Sequence, residues 1–296
     1  MSIAGLYPPL ITPYDSRGAV DLDALERLAG DLIDGGAAGL VALGSTGEPF
    51  ALTDAESAAV VACVARVCGD RGAQLIVGAG AADTLVAIAR HEALGDLPGV
   101  TASLAVVPYY VRPSEPGVVA HFQAVAAASP VPVLAYEVPL RTGVRLSAEA
   151  LLAIAAIDGV VGMKLSPGAV DEAAVQVLAG APDGFSVLCG DDAFIHPFMA
   201  LGAAGAIAAS AHFATERFAG LVRGGDGSLA EAEALLPLVL ALFAEPNPVV
   251  IKGLLHAQGR IATADVRMPH LNASRAAVAR AVEALRGVAS GVAGVA

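Results

Sequence analysis

The sequence predicts a (β/α)8 TIM barrel followed by a small C-terminal helical domain. Apolar, β-branched runs alternate with amphipathic helical runs over the first 225 residues, which is the pattern of parallel βαβ units. There are eight such units, a number that fits a closed barrel better than an open, doubly wound sheet of five or six strands. Beyond that region the pattern is helical only. These three observations together define the predicted fold.

The predicted strands are short apolar runs, and each is followed by a helical run. The strands cover residues 6–14, 39–44, 74–80, 100–108, 131–137, 160–166, 185–190 and 205–210. The helices cover residues 21–34, 53–68, 83–94, 114–128, 147–156, 169–179, 193–201 and 215–222. Two helix starts carry clear capping signals, because Thr53 with Glu56 has the pattern of a capping box and Ser147 is a good N-cap.

A glycine-rich joint at residues 223–228 separates the predicted domains. We therefore expect a catalytic barrel over residues 1–225 and a helical domain over 226–296, with helices at 229–244, 248–258 and 274–289. The helical domain is expected to dock on the barrel or to make subunit contacts. A dinucleotide-binding fold is disfavoured, because Gly78-Ala79-Gly80 matches a phosphate-binding loop only weakly and no GxGxxG motif precedes a helix.

Composition excludes several classes of protein. Hydrophobic residues make up 56% of the chain and charged residues 16%, so disorder is excluded. The net charge is −12 and no basic run is present, which argues against nucleic acid and anionic membranes. The three cysteines and six histidines show no metal-ligand spacing, so we expect no metal. With no signal peptide or membrane span apparent, we expect a cytoplasmic protein.

Lysine is scarce in this sequence, and that scarcity draws attention to Lys164. The chain has 15 arginines but only two lysines, Lys164 and Lys252. Arginine replaces lysine readily in surface charge, but it cannot form a Schiff base because its guanidinium is not deprotonated. Lys164 lies near the end of the strand predicted at residues 160–166. It is a candidate nucleophile, and the alternative is a structural lysine that reaches solvent or pairs with a carboxylate.

The active site of such a barrel lies at the carboxyl ends of its strands. Each polar residue there also has a structural explanation. The tyrosines at 109 and 110 can be core aromatics, and one of Asp191 and Asp192 is expected to cap the following helix. The residues at the strand ends are 12–14, 44–48, 78–80, 108–110, 136–137, 164, 190–192 and 210. Their convergence on one rim with Lys164 favours a catalytic role.

Five ordered motifs resemble the dihydrodipicolinate synthase and N-acetylneuraminate lyase superfamily. They are Gly44-Ser45-Thr46-Gly47-Glu48, Pro108-Tyr109-Tyr110, the stretch from Tyr136 to Gly143, Gly162-Met163-Lys164 and Gly190-Asp191-Asp192-Ala193. The resemblance runs from Tyr7 to about Gly259, and residues 245–248 are also similar. It implies a (β/α)8 barrel with a helical C-terminal domain, usually assembled as a homotetramer that is a dimer of dimers.

The resemblance also implies a role for each site residue. Lys164 is similar to the lysine that forms an imine with pyruvate, and Tyr136 to the acid–base tyrosine beside it. Ser45 would link Tyr136 to Tyr110, which the neighbouring subunit would supply across the dimer interface. Thr46 would hold the pyruvate carboxylate. Gly190 and Ile207 are the other expected substrate contacts. No cofactor is expected, because the imine on Lys164 makes the methyl group of pyruvate acidic.

Arg141 separates the two branches of the superfamily. An arginine after Val-Pro-x resembles the synthases, where it binds the carboxylate of aspartate semialdehyde. We therefore expect condensation of pyruvate with L-aspartate 4-semialdehyde to 4-hydroxy-tetrahydrodipicolinate, in lysine biosynthesis. Glu137, Leu165 and Pro49 depart from the usual residues, which leaves open an aldolase or dehydratase for a 2-keto-3-deoxy sugar acid or N-acetylneuraminate-like substrate. A silent paralogue that binds a keto acid is the non-enzyme alternative.

The resemblance bears on regulation as well. Lysine-sensitive synthases hold lysine at the tight-dimer interface with polar and charged side chains, because an unpaired buried charge is costly. The corresponding positions here are Asp54, Ser57, Ala82 and Val86. Since Ala82 and Val86 provide no polar side chain, we expect no feedback inhibition by lysine.

Overall fold

The computed structural model describes residues 3–97, 99–224 and 228–290. Its eight strands are all parallel and form one sheet in the order β1-β8-β7-β6-β5-β4-β3-β2. The strands are β1 Gly5–Leu6, β2 Gly39–Ala42, β3 Gln74–Gly78, β4 Val100–Val106, β5 Val133–Glu137, β6 Val160–Leu165, β7 Ser186–Cys189 and β8 Gly205–Ala206. The N–H of Leu10 donates to the carbonyl of Val41 at 2.9 Å and closes the barrel between the first two strands. The predicted (β/α)8 barrel is confirmed.

Helices surround the sheet and continue beyond it. They are α1 Leu22–Asp34, α2 Asp54–Arg71, α3 Thr84–Glu92, α4 Glu115–Ala128, α5 Pro139–Thr142, α6 Ala148–Ala155, α7 Glu172–Gly180, α8 Ile195–Ala200, α9 Thr215–Arg223, α10 Ser228–Leu242, α11 Val249–Ala257 and α12 Arg275–Ser290. All the predicted helices are present, and the capping box of Thr53 with Glu56 and the Ser147 cap are confirmed. The short α5 was not predicted. Within the described residues, no helix has the length and apolarity needed to cross a membrane.

The first and last strands are much shorter than predicted. The run at residues 6–14 contains Pro8, Pro9 and Pro13, which have no N–H to donate to a neighbouring strand. Pro9 nevertheless forms an isolated parallel bridge with Val41, so the extended chain completes the barrel. After β8 the chain turns into a 3-10 helix at Ala209–His212. These differences reflect local hydrogen bonding and leave the strand order unchanged.

Two apolar cores support the barrel. The larger one fills the space between the strands and the surrounding helices. The smaller one fills the barrel interior with inward-facing side chains such as Tyr7, Ile76, Leu134 and Leu188. Because successive side chains of a strand point to opposite faces, the inward positions near the carboxyl ends carry Tyr136, two residues after Leu134. The apolar layers therefore form the floor below the polar rim.

The C-terminal helices α10, α11 and α12 pack on one another and on the barrel. Arg217 of α9 and Glu231 of α10 form an ion pair at 2.6 Å, and Lys252 of α11 pairs with Glu48 of the barrel at 2.7 Å. The expected docking of these helices on the barrel is thus observed. The predicted joint covers residues 223–228, where α9 ends at Arg223 and α10 begins at Ser228. The predicted boundary between residues 225 and 226 lies outside the described residues. The division into two domains stays a prediction.

Candidate active site

A cavity of about 860 Å³ opens at the carboxyl ends of the strands. The structure brings seven of the eight predicted site residues into its lining: Ser45, Thr46, Tyr136, Arg141, Lys164, Gly190 and Ile207. Strand ends contribute most of them, and Phe243–Asn247 of the C-terminal region forms another wall. The barrel and the segment after α10 therefore build one site.

Lys164 and Tyr136 are neighbours because β5 and β6 pair in register, with Tyr136 opposite Lys164. The Nζ of Lys164 lies 4.3 Å from the centroid of the Tyr136 ring. Both residues are only 7% exposed, yet both line the cavity. A small molecule in the cavity can thus reach an amine and a phenol that are largely shielded from solvent.

Because Gly190 has no side chain, the Lys164 side chain can occupy the space beside it. A Cβ at position 190 would lie 2.6 Å from Cε of Lys164 and 2.1 Å from Oγ of Ser166. Both distances are well inside van der Waals contact, so any side chain here would displace the lysine. The requirement for glycine therefore comes from close approach across neighbouring strands.

The Ser45–Thr46 loop forms the opposite wall. Ser45–Gly47 is a 3-10 turn directly after β2, with Ser45 half-buried and Thr46 buried. Oγ1 of Thr12 donates to the carbonyl of Gly47 at 2.7 Å. Oγ1 of Thr46 accepts a hydrogen bond from Nδ2 of Asn247 at 2.9 Å. Hydrogen bonds from an N-terminal residue, Thr12, and from a residue of the C-terminal region, Asn247, thus hold this loop in place.

Tyr110 is the one predicted site residue outside the cavity lining. It is 90% exposed, and its φ of 72° places it in the left-handed region. Tyr109 is 41% exposed, so the explanation of both tyrosines as core aromatics is wrong. Among the described residues, Ser45 makes no side-chain hydrogen bond to Tyr136 or Tyr110. A relay through Tyr110 is therefore not assembled within a single chain.

Two guanidinium groups stand at the mouth of the cavity. Arg141 is exposed, and among the described residues its Nη2 makes only a long 3.4 Å hydrogen bond, to the carbonyl of Asn247. Arg145 is more strongly engaged, because it pairs with the carboxylate of Asp171 and donates to the carbonyl of Pro167 at 2.9 Å. Arg141 is thus the guanidinium with more capacity to bind an anion, although the chain as a whole is acidic.

Asp191 occupies the N-cap position of the 3-10 turn Asp192–Phe194, as expected for one of the two aspartates, but no side-chain capping hydrogen bond forms there or at the start of α8. Oδ2 of Asp191 accepts the N–H of Gly168 at 2.6 Å, and Oδ2 of Asp192 accepts the N–H of Ser210 at 2.6 Å. Both carboxyls instead tie neighbouring strand ends together. Burial raises the pKa of Asp192 to about 6, against the opposing effect of its hydrogen bonding with Ser210 and of the Lys164 charge. Burial also raises the pKa of Asp191.

Glu137 lies on the face of β5 opposite to Tyr136. It is 3% exposed, and its Oε1 has no hydrogen-bond partner among the described residues. Burial raises the pKa of this carboxyl to about 7, opposed by hydrogen bonding from the Leu146 backbone and by the charge of Arg145. Glu137 therefore changes the electrostatics behind the cavity wall without lining it.

Some residues at the site were not singled out for a role in the sequence. Asn247 is hydrogen-bonded to Thr46 and to Arg141. Residues 245–248 are similar to the family in sequence, but that similarity gives Asn247 no role. Ser166 lines the cavity, and its buried Oγ has no hydrogen-bond partner among the described residues. Its position two residues after Lys164 was the available signal, because alternate strand residues share a face. For Asn247 the available signal was the family-like stretch at residues 245–248, which assigned no role to the individual residue.

The chain is similar to known proteins over most of its length. Residues 2–286 match the sequence profile described as the Dihydrodipicolinate synthetase family. The 4-hydroxy-tetrahydrodipicolinate synthase of Moorella thermoacetica is 39% identical over 271 residues, which cover 90% of this chain and 91% of that protein.

Two solved structures are similar to this chain in fold as well as in sequence. The dihydrodipicolinate synthase of Acinetobacter baumannii, described as chloride inhibited and complexed with pyruvate, is 31% identical with a TM-score of 0.91, and the match covers 97% of this chain and 99% of that one. A dihydrodipicolinate synthase variant described as the first monomeric one is 27% identical with a TM-score of 0.93, covering 97% of both chains. From the profile match, the sequence identity and the shared fold, the chain belongs to the dihydrodipicolinate synthetase family.

Proposed function

We propose that this protein is a 4-hydroxy-tetrahydrodipicolinate synthase, a lyase that condenses pyruvate with L-aspartate 4-semialdehyde. One observation carries the proposal: the amine of Lys164 lies in a mostly apolar barrel beside the Tyr136 ring, within a cavity that also holds Thr46 and Arg141. The relative from Moorella thermoacetica carries the same activity in its name. Lysine biosynthesis is the pathway that follows from this activity.

The chemistry begins when the Lys164 amine attacks the ketone carbon of pyruvate. Loss of water gives an imine, and the C–N double bond makes the adjacent methyl group acidic. Removal of a methyl proton gives an enamine, whose carbon attacks the aldehyde carbon of the second substrate. Tyr136 lines the cavity with its ring beside the Lys164 amine, and its phenol would carry protons to and from these atoms. Attack by the amine of the semialdehyde on the imine carbon would release Lys164 and close the ring. No cofactor is required in this scheme.

Two carboxylates have to be held, and the cavity offers a separate partner for each. Thr46 presents a buried hydroxyl and its backbone amide on the β2 side, where it would hold the carboxylate of pyruvate. Arg141 stands at the mouth and would form a charge-assisted pair with the carboxylate of the semialdehyde. Gly190 and Ile207 would pack against the bound keto acid. This division assigns pyruvate to the inner part of the cavity.

We further propose that Tyr110 acts in a neighbouring subunit of a homotetramer. Its 90% exposure and left-handed backbone present the phenol outward, next to the exposed side chains of Tyr109 and Val111. An exposed apolar patch of this kind favours association with another chain. In the assembly, Ser45 would connect the partner's Tyr110 to Tyr136.

The alternative substrate class is a 2-keto-3-deoxy sugar acid, and Ser166 is the observation that favours it. Its unpartnered hydroxyl lines the cavity close to Lys164, where a substrate hydroxyl group would satisfy it. Arg141 favours the semialdehyde. A substrate panel separates the two, because only the synthase consumes pyruvate when aspartate semialdehyde is the acceptor. A silent keto-acid-binding paralogue would turn over neither.

We predict that pyruvate forms an imine with Lys164 and not with Lys252, whose side chain is fully buried. Incubation with pyruvate followed by borohydride should add the reduced pyruvate group to Lys164 alone. Peptide mapping by mass spectrometry reads out the position, and Lys252 serves as the internal control. An absent adduct, or one confined to Lys252, would sink the proposed mechanism.

We predict that Arg141→Ala lowers kcat/KM for the semialdehyde by about 30-fold to 900-fold, because a charge-assisted contact is worth ~2–4 kcal/mol in the transition state. Half-saturation by pyruvate should change little. Arg145→Ala is the matched control, since Arg145 stands in the same cavity but is already paired with Asp171. If Arg145→Ala carries the larger loss, the carboxylate has been assigned to the wrong guanidinium.

We predict that Tyr110→Phe lowers kcat by about 10²-fold, the usual contribution of a positioned proton donor. Mixed oligomers test whether the phenol acts across subunits. When Tyr110→Phe and Lys164→Ala subunits are dissociated, mixed and reassembled, some sites receive both intact groups, so activity should reappear. Mixtures that stay as inactive as their parents would place Tyr110 outside the relay.

We predict that lysine does not inhibit the enzyme. Val86 is 46% exposed and apolar, and the carboxylate of the adjacent Asp83 already accepts the N–H of Val86 at 3.0 Å as the cap of α3. The described side chains at 82 and 86 thus offer a charged ligand no polar contact. The measurement is activity with L-lysine up to millimolar concentrations. Half-inhibition below about 1 mM, equivalent to about −4 kcal/mol of binding, would contradict the prediction.

A further inference from the structure

We propose that the buried ion pair between Glu48 and Lys252 is a positioning element that holds the Ser45–Thr46 loop in the conformation that binds pyruvate. The inference deepens the proposed function and rests on it. Glu48 directly follows the 3-10 turn of this loop, and Lys252 belongs to α11. The pair lies outside the lining of the cavity, so it acts on substrate only through the loop.

The loop backbone needs an external anchor. Leu43 and Glu48 flank the loop and have φ values of 54° and 55°. This left-handed region is disfavoured for residues that carry a Cβ, and such residues persist only where surrounding contacts determine the conformation. The strain lies on both sides of the turn that presents Ser45 and Thr46.

Besides the hydrogen bond from Thr12 to Gly47, the contacts that meet this need come from the C-terminal part of the chain. Oε1 of Glu48 lies 2.7 Å from Nζ of Lys252, and Oε2 accepts the backbone N–H of Arg267 at 3.0 Å. Both side chains of the ion pair are 0% exposed. Nδ2 of Asn247 adds a hydrogen bond to Thr46. The loop is thus held at its centre and at its end by residues more than two hundred positions away.

An aromatic ring keeps the pair in place. Nζ of Lys252 lies 4.0 Å from the centroid of the Tyr14 ring, and Cζ of Arg267 lies 4.6 Å from the same centroid. Arg267 also pairs with Glu56 at the start of α2. Two cations, two carboxylates and one ring therefore form a closed unit beneath the loop. Burial lowers the pKa of Lys252 to about 8 while Glu48 opposes the shift, so the ammonium form predominates at neutral pH.

Stability alone gives little reason for such a pair. Replacing a fully buried ion pair with neutral groups of similar volume is often neutral or stabilising, whereas removing only one partner is strongly destabilising. Both side chains of this pair are inaccessible to solvent, and the pair is attached to a loop with strained backbone on either side. We therefore explain the pair by the loop conformation that it maintains. This difference between the pair and its single members provides the test.

The test compares Glu48→Gln, Lys252→Met and the double variant with wild type. Each full-length protein is titrated with pyruvate and trapped with borohydride, and the half-saturating pyruvate concentration is read from the adduct at Lys164. This readout requires no turnover. In the double variant we expect a urea midpoint near that of wild type but a half-saturating concentration raised by about tenfold or more. KM for the semialdehyde should stay within about threefold, because Arg141 remains in place.

The matched control is Arg217→Met with Glu231→Gln. It removes the ion pair that joins α9 to α10, and neither residue lines the cavity. Its half-saturation by pyruvate should equal that of wild type. The single variants, which leave one buried charge unpaired, should have lower urea midpoints than the double variant.

The outcomes separate the two proposals. If wild type gives no adduct at Lys164, the proposed function fails and this inference fails with it. If wild type is trapped normally and the double variant has unchanged half-saturation, only the positioning role is overturned. A double variant that does not fold would assign the pair to the fold itself and would equally overturn the positioning role.

Discussion

Because eight parallel strands close into a barrel, all their carboxyl ends meet at one rim, and every second side chain points inward. This constraint determines where chemistry is possible in the molecule. Tyr136 and Lys164 are brought together by strand register, and Gly190 on the next strand leaves room for the lysine. Below them the interior is apolar and packed. The amine of Lys164 therefore lies above a close-packed apolar layer, and its freedom of movement comes from the torsions of its own side chain.

The barrel alone does not complete the site. The segment Phe243–Asn247 forms one wall of the cavity, and α11 supplies the ammonium beneath the Ser45–Thr46 loop. The C-terminal region thus contributes a wall of the cavity and the support of the Ser45–Thr46 loop, while α5 carries Arg141 at the mouth. The proposed separation of pyruvate from the second substrate follows this arrangement. It also explains how departures such as Glu137 can alter one part of the site without disturbing the imine chemistry.

Local patterns in the sequence predicted the barrel, the helices and the strand ends that carry Lys164 and Tyr136. Strand closure converts those ends into one cavity, so knowledge of topology was enough to bring them together. Contacts between distant segments leave no local pattern, which is why the interaction of Asn247 with Thr46 and of Lys252 with Glu48 could not be predicted. The hydrogen bonds of Asp191 and Asp192 were likewise not predictable from the local sequence. Their sequence suits a helix cap, but tertiary hydrogen bonds to Gly168 and Ser210 take precedence.

The complete burial of one of the two lysines also matters for covalent modification. Acylation and carbamylation of a protein normally spread over many surface amines, and most of these events have little effect. Here Lys252 is sealed inside an ion pair, and Lys164 opens onto the cavity. Of the two lysine amines, the one that we propose forms the imine is thus the one that a small electrophile in the cavity can reach. Among the lysines, modification of this type would fall first on the candidate active site, and a keto acid bound there as an imine would protect the amine of Lys164.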